Sequence, residues 1–178
     1  MSAIPEPAPE VVDTRALRKA FAAFATGVTV VTVGDPVPHA MTANSFASVS
    51  LEPPLVLVCV GRDAVMHHSL DTAATFGVSV LGDHQEAIAR HFADRRRPLG
   101  SAQFDAVDWR PGRLTGAPLI SGAIATFECA AWRRYDGGDH TIFLGEVLSM
   151  DRRPDEDALL FYAGGFRRLS VDESEVVT

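Results

Sequence analysis

The sequence predicts a mainly β protein, an antiparallel barrel with a few flanking helices. Three observations carry that expectation. Short β-branched runs recur along the chain, among them VTVVTV (28–33), LVLVCV (55–60) and FGVSVL (76–81). Two longer apolar runs, IATFECAAWRRY and HTIFLGEVLSM, flank Asp136-Gly137-Gly138-Asp139 and read as one hairpin. Helical patterns are few and do not alternate with the strands, as a doubly wound parallel sheet would require.

The elements follow in order. Residues 1–13 are rich in Pro and Glu and are expected to be disordered. Asp13 or Thr14 can cap a helix reaching about Ala25, with Leu17, Ala20, Phe21 and Phe24 on one face and Gly27 ending it. VTVVTV is a strand and Gly34-Asp35-Pro36 a turn. Strands at about 39–50 and 54–60 are separated by Pro53-Pro54, because neither proline can donate to a ladder. A short helix near 64–72 precedes the strand FGVSVL. Asp83 then caps a helix, with Glu86 at the capping-box position and Ala87, Ile88, His91 and Phe92 as its inner face. Residues 95–118 read as a loop, and so long an irregular stretch is usually functional or covered by a partner. After the hairpin, ALLFYAG (158–164) is a final strand. One domain over 14–170 and an acidic tail over 171–178 complete the chain.

Bulk properties bound the function. A chain of 178 residues can bury a single core, and 47% hydrophobic with 22% charged residues is a globular composition. The net charge of −7 argues against nucleic-acid binding, and the short run Arg95-Arg96-Arg97 does not reverse it. No apolar run is long enough to cross a membrane as a helix, and the N-terminus lacks the pattern of a signal peptide. Cys59 and Cys129 each sit inside an apolar run and read as buried reduced thiols, which suits a cytoplasmic protein. The Rossmann, P-loop, HExxH, CxxC and GxSxG patterns are all missing, so a nicotinamide-using enzyme would need another scaffold. His39 is isolated, His67 and His68 are adjacent, and His84 and His91 lie on one helix as a surface-plus-core pair; no metal site is expected.

The stretch MTANSFASVSLEPPLVLVCV (41–60) carries the candidate chemistry. Thr42, Asn44, Ser45, Ser48 and Ser50 offer hydroxyls and an amide, with small Ala43 and Ala47 between them. Such a stretch lets backbone N–H groups approach a phosphate or a heteroaromatic edge. A polar edge strand with its hydroxyls in solvent reads the same way. Asn44 is the only Asn, and Lys19 the only Lys among 16 Lys and Arg, a bias against which a retained amide is a mild functional hint. His140 follows a Gly-Gly turn at the mouth of a long strand, a place for an exposed histidine or for one that reaches into a cleft.

This block resembles the flavin-contacting segment of the flavin reductase-like family. FAAFATGVTVVTV (21–33), FGVSVLGDHQEAIARHFA (76–93), GGDHTIFLGEV (137–147) and LLFYAGGFRRL (159–169) are similar to family segments in the same order. The resemblance covers residues 14–169. It implies a split β-barrel of the FMN-binding type that reduces free FMN or FAD with NADH or NADPH, as a homodimer, for a separate monooxygenase. An oxidase or monooxygenase that keeps its flavin, or a non-enzymatic flavin- or heme-binding barrel, are the alternatives. The resemblance places Thr42, Ala43, Asn44, Ser45, Ser48, Ser50 and Leu51 along the flavin and Cys59, Val60, Gly61 and Arg62 near its phosphate. It makes Phe92 and Ala93 flavin-proximal and sets His140 and Phe166 beside the nicotinamide. The chain departs from the family where Asp63, Ala64 and Met66 replace expected hydroxyls, and Asp63 would repel a phosphate.

Overall fold

The computed structural model describes residues 13–154 and 156–169. Apart from Asp13, the expected disordered segment and the acidic tail lie outside the described residues. Asp13 caps α1 (Thr14–Phe21), its carboxylate accepting the Arg15 N–H at 2.9 Å. The helix stops at Phe21 rather than Ala25, and Gly27 belongs to a short strand, β1 (Thr26–Gly27). No residue of α1 is buried, so its apolar face looks outward.

β2 (Thr29–Val33) is buried along its whole length. Val31 and Val33 enter one apolar cluster, while Val28 and Val30 enter another. Burial on both faces explains why the run is continuous rather than alternating.

The single strand expected over 39–50 is two: β3 (His39–Ala43) and β4 (Phe46–Leu51), broken at Asn44-Ser45. The break is forced by pairing. β3 lies beside β2, whereas β4 pairs with β5 (Pro54–Gly61), at the other end of the sheet. Glu52-Pro53 turns the β4–β5 hairpin, with Leu51 opposite Pro54.

α2 (Val65–Thr72) forms where expected and inserts Met66 and Leu70 into the first cluster. β6 (Thr75–Val80) follows. The expected Asp83 cap is replaced by a 3-10 turn over Asp83–Gln85 leading into α3 (Glu86–Ala93). Gln85 does the capping: its carbonyl accepts the Gly82 N–H at 3.0 Å and its amide donates to the Ser121 carbonyl at 2.9 Å. Ala89 and Phe92 are buried, Ile88 and His91 half-buried, and Ala87 exposed, so the inner face is centred on Ala89 and Phe92 rather than reaching Ala87.

Residues 95–118 are more ordered than their composition suggests. They contain a 3-10 turn at Gly100–Phe104, and β7 (Trp109–Pro111) pairs with β8 (Pro118–Ile120). Buried Gln103 ties the segment down: its carbonyl accepts the Ala40 N–H at 2.9 Å, and its amide donates to the Gly100 carbonyl at 2.8 Å.

β9 (Ala125–Gly137) and β10 (His140–Arg152) form the long hairpin. Its two central residues are Gly138, at φ +78°, and Asp139, which is not at positive φ. That is the pattern of a II′-type turn, for which glycine is suited. β11 (Leu160–Tyr162) and β12 (Gly165–Arg167) make a small sheet with β1.

The main sheet has the order β3-β2-β6-β9-β10-β5-β4. Ala43 of β3 and Val56, Val58 and Val60 of β5 nevertheless share one core cluster. Strands so far apart in the hydrogen-bonding order meet only if the sheet curls around that core, which α2 plugs. Among the described residues β3 and β4 are not paired with each other, so the wall stays open. This is a split barrel. α3, Phe104, Ile120 and Leu159 cover the outer face of β2 as the second cluster.

Candidate functional site

The seam of the split barrel is the place where the chain crosses between sheet ends at Asn44-Ser45. Here backbone groups are not consumed by a ladder, and short side chains keep the wall thin. The Ser45 hydroxyl donates to the Cys59 carbonyl at 2.7 Å and accepts the Cys59 N–H at 3.2 Å, stitching the crossing to β5. The Thr42 hydroxyl donates to the Ala89 carbonyl of α3 at 2.7 Å. Both hydroxyls are therefore spent on the protein, and the seam presents backbone, methyl groups and the exposed Asn44.

Along this seam runs a cleft of 740 Å³, lined by 41–45, Cys59, 61–64, Arg18, Arg95, Asp139 and His140. A second hollow of 320 Å³ shares Met41, Thr42, Asp63, Ala64 and Arg95 with it and adds Phe92, Ala93 and Arg97. Together they are ample for a dinucleotide-sized ligand, and the cleft is far larger than the 270 Å³ concavity beside Trp132. Gly61 keeps the wall low: a Cβ there would meet Asp63 Oδ1 at 3.1 Å and His140 Nε2 at 3.6 Å.

The fold thus gathers Thr42, Ala43, Asn44, Ser45, Cys59, Gly61, Arg62 and His140 in one cleft, with Phe92 and Ala93 in its extension. Val60 points into the core and is 1% exposed. Phe92 is also a core residue, so it offers the hollow only one edge. Ser48, Ser50 and Leu51 are not brought to this cleft. They lie along β4 toward the hairpin end, where Ser50 accepts the Glu52 N–H at 3.2 Å and Leu51 is 95% exposed. Phe166 packs on Phe161, with the Arg90 guanidinium 4.9 Å above its ring, and lines neither hollow.

His140 stands at the end of β10, opposite Gly61. Its Nδ1 is 2.7 Å from Asp139 Oδ1. That bond, followed by the charge attraction, holds the Asp139 carboxyl below the usual aspartate range. Arg62 reaches across the turn: Nη2 lies 2.8 Å from Asp136 Oδ1 and Nε 2.9 Å from the Gly138 carbonyl. Asp136 is held low first by the Gly138 N–H and then by Arg62.

Three arginines, Arg18, Arg62 and Arg95, and two carboxylates, Asp63 and Asp139, line the cleft. Arg62 is paired with Asp136 and Arg95 with Asp63, so in a chain of net charge −7 the cleft is close to neutral rather than acidic, which tolerates an anionic nucleotide. Cys59 faces the cleft as a thiol, its pKa raised by burial. Cys129 is pushed to about 12 by burial and then by the nearby Glu128 charge. His39 is lowered to about 4 by burial and then by Arg97, and is neutral at pH 7. His67 is bonded to the Thr141 hydroxyl at 2.8 Å and His91 to the Gln103 backbone carbonyl at 2.7 Å. Among the described residues no three His, Cys, Asp or Glu side chains gather as metal ligands. None of the described helices is long and apolar enough to cross a membrane.

Sequence reasoning missed Arg18, Met41, Ala64 and Arg95 as lining residues. Arg18 was visible only as the polar side of a helix read for its apolar face. Arg95 was visible only as part of a charge run. Met41 carries no signal of its own in the sequence, and Ala64 stands out only as a departure from the family pattern.

Residues 21–170 match the family described as flavin reductase like domain. An NADH-dependent FAD reductase of Streptomyces globisporus is 58% identical over 178 residues, covering 98% of both chains. The structure of the Streptomyces globisporus C-1027 NADH:FAD oxidoreductase SgcE6 in complex with NAD and FAD fragments superposes with a TM-score of 0.86, at 58% identity, over 90% of this chain and 95% of that one. BorF, the flavin reductase component of a bacterial two-component tryptophan halogenase, gives 0.85 at 57% identity, over 88% and 98%.

Proposed function

The chain belongs to the flavin reductase-like domain family, and on that premise we propose that it reduces free flavin with NADH. FAD is the preferred flavin in this reading and FMN the second. The reduced flavin then serves a separate flavin-dependent monooxygenase or halogenase. The observation that carries the reading is the 58% identity, over 98% of both chains, to an NADH-dependent FAD reductase.

The residues of the seam suit a flavin. A tricyclic ring can lie against Ala43, Asn44, Ser45 and Gly61 without meeting a bulky side chain, and unpaired backbone groups there can bond its polar edge. Bound flavin supplies the hydride acceptor, so the chain itself needs no acid or base for that transfer. Its residues hold two substrates in register and exclude other geometries. His140, with Nδ1 held by Asp139, has Nε2 free toward the cleft. There it can bond the carboxamide of the nicotinamide or meet negative charge that develops during transfer.

A homodimer completes the reading. Phe21 and Phe24 are 67% and 78% exposed, and Leu51 is almost fully so. Such apolar groups favour burial against another surface, here a second copy. In that arrangement Ser48, Ser50 and Leu51 approach a flavin at the subunit border. Two free thiols and dependence on NADH agree with work in the cytoplasm.

The test is steady-state oxidation of NADH and NADPH with FAD, FMN and riboflavin in turn. Flavin-dependent loss of NADH absorbance is expected, fastest with FAD. Absence of a flavin-dependent rate with either nucleotide refutes the proposal. Yellow colour that survives gel filtration would instead mark a protein that retains its flavin.

A further inference from the structure

We propose that Arg62 is a positioning residue that clamps the His140 hairpin turn to the end of β5, so that the imidazole faces the cleft. The proposal rests on the reductase reading and identifies what shapes the nicotinamide side of that site.

The turn needs a clamp. Residues 131–140 are all exposed, so no core packing fixes the tip of the β9–β10 hairpin. The β5–β10 ladder ends at the Gly61–His140 pair. Beyond that pair, Arg62 makes the connections. Its backbone N–H donates to the Asp139 carbonyl at 3.0 Å and its Nε to the Gly138 carbonyl at 2.9 Å. Both central residues of the turn are thus bonded from β5. Nη2 binds Asp136 Oδ1 at 2.8 Å, and the same oxygen accepts the Gly138 N–H at 2.9 Å. One carboxylate oxygen therefore joins the guanidinium to the turn backbone. From the turn, Asp139 Oδ1 reaches His140 Nδ1 at 2.7 Å. The ladder pairs of His140 and Thr141 place the strand end, and the chain of bonds that begins at Arg62 holds the turn beyond it and reaches the ring.

The alternative role for Arg62 is to bind a flavin phosphate. A guanidinium grips a phosphate best with two parallel N–H groups. Here Nε and Nη2 are already committed to the turn. The Nε–Nη2 edge is thus spent on the turn, and only Nη1 and the second N–H of Nη2 remain for a phosphate. The two roles therefore make opposite forecasts for Asp136, which a phosphate ligand does not need and a clamp does.

The experiment compares Arg62→Ala, Asp136→Ala, Arg62→Lys and His140→Ala with wild type. Affinities for FAD, FMN and riboflavin are measured by titration, and NADH KM and kcat separately. The clamp forecasts that Arg62→Ala and Asp136→Ala each raise KM or lower kcat by about three- to tenfold, the effect of one lost hydrogen bond at His140. Combined with His140→Ala they should add little, because they act through the same ring. All three flavin affinities should stay near wild type. Arg62→Lys should rescue in part, since lysine keeps a donor but not the fork. The ion pair is exposed, so the fold should survive each change. Loss of FAD and FMN affinity with riboflavin affinity intact in Arg62→Ala, and no effect of Asp136→Ala, overturns the clamp. So does wild-type kinetics in both variants.

A second readout needs no activity. The His140 imidazole NMR signals of Arg62→Ala should shift and broaden relative to wild type, and unchanged signals overturn the clamp. A wild-type protein without NADH:flavin activity would refute the reductase reading instead, and the NMR comparison would still decide the clamp.

Discussion

Removing the Glu128 side chain should cost this fold more than any surface change near the cleft. Glu128 is 5% exposed and sits on β9 beneath the turn that joins β7 to β8. Its Oε2 accepts the Leu114 N–H at 2.8 Å, the Thr115 N–H at 2.9 Å and the Thr115 hydroxyl at 2.9 Å, while Oε1 accepts the Arg113 N–H at 3.2 Å. Bonds to a charged acceptor contribute about 1.5–3 kcal/mol each, but Arg113 and Leu114 are exposed enough for water to replace part of that. Glu128→Ala is therefore expected to cost about 2–4 kcal/mol, or roughly 5–15 °C in melting temperature for a chain of this size. Glu128→Gln should cost less, since one oxygen remains but an amide N–H₂ then opposes a backbone N–H. Burial pushes the Glu128 pKa up, yet the N–H groups of Leu114, Thr115 and Arg113 and the Thr115 hydroxyl outweigh it, so the net shift is downward. A carboxyl depressed in the folded state stabilises fully above its unfolded pKa, and that contribution is lost as pH falls through the folded value. Thermal melts of wild type and Glu128→Gln should thus differ at neutral pH and converge on acidification below the ordinary glutamate range. Equal melting temperatures at neutral pH, or a gap that widens in acid, would refute the reasoning.

The remaining predictions concern the site and the core. His140→Ala should change NADH KM or kcat by about three- to tenfold while sparing flavin affinity; if neither kinetic constant moves, the nicotinamide lies elsewhere. Asn44→Trp, at an exposed position in the seam, should abolish flavin binding in a protein with a near-normal melting temperature, whereas wild-type flavin titration would return Asn44 to a solvated edge. Ala43→Trp is the less clean variant because Ala43 is 7% exposed within the core, so about 1–3 kcal/mol of overpacking should accompany any loss of binding. Gly145→Val should be among the most damaging core changes, since even a Cβ at this position would collide with the buried Phe76 ring; an unchanged melt would mean the hairpin can shift to make room.

Most of the fold was legible because its signals are local. β-branched runs, the double proline and the Gly-Gly turn each specify an element within a few residues. The sequence reading failed where long-range pairing decides. Nothing between His39 and Leu51 announces a break, because both halves are extended and both half-polar. Only the separation of β3 and β4 to opposite sheet ends forces one at Asn44-Ser45. The α3 start was misread for a similar reason. Asp83 and Glu86 satisfy a capping pattern, but the Ser121 carbonyl, distant in sequence, gives the Gln85 amide a partner that favours the 3-10 turn.

The site shows the same division more sharply. The run from Thr42 to Ser50 stands out for its hydroxyls, yet those of Thr42 and Ser45 are bonded to Ala89 and Cys59, and Ser48 and Ser50 lie away from the cleft. What the small polar residues accomplish is to let the chain cross the seam tightly, leaving a backbone-walled cleft. The segment that lines the cleft thus stands out in the sequence through side chains that serve the fold. Arg62 makes the point again: a lone arginine at a strand end reads as a phosphate ligand, because its commitments to Gly138 and Asp136 come from residues far away in sequence. A residue type advertises the chemistry it can do, while the partners already bonded to it determine how much of that chemistry is left for a ligand.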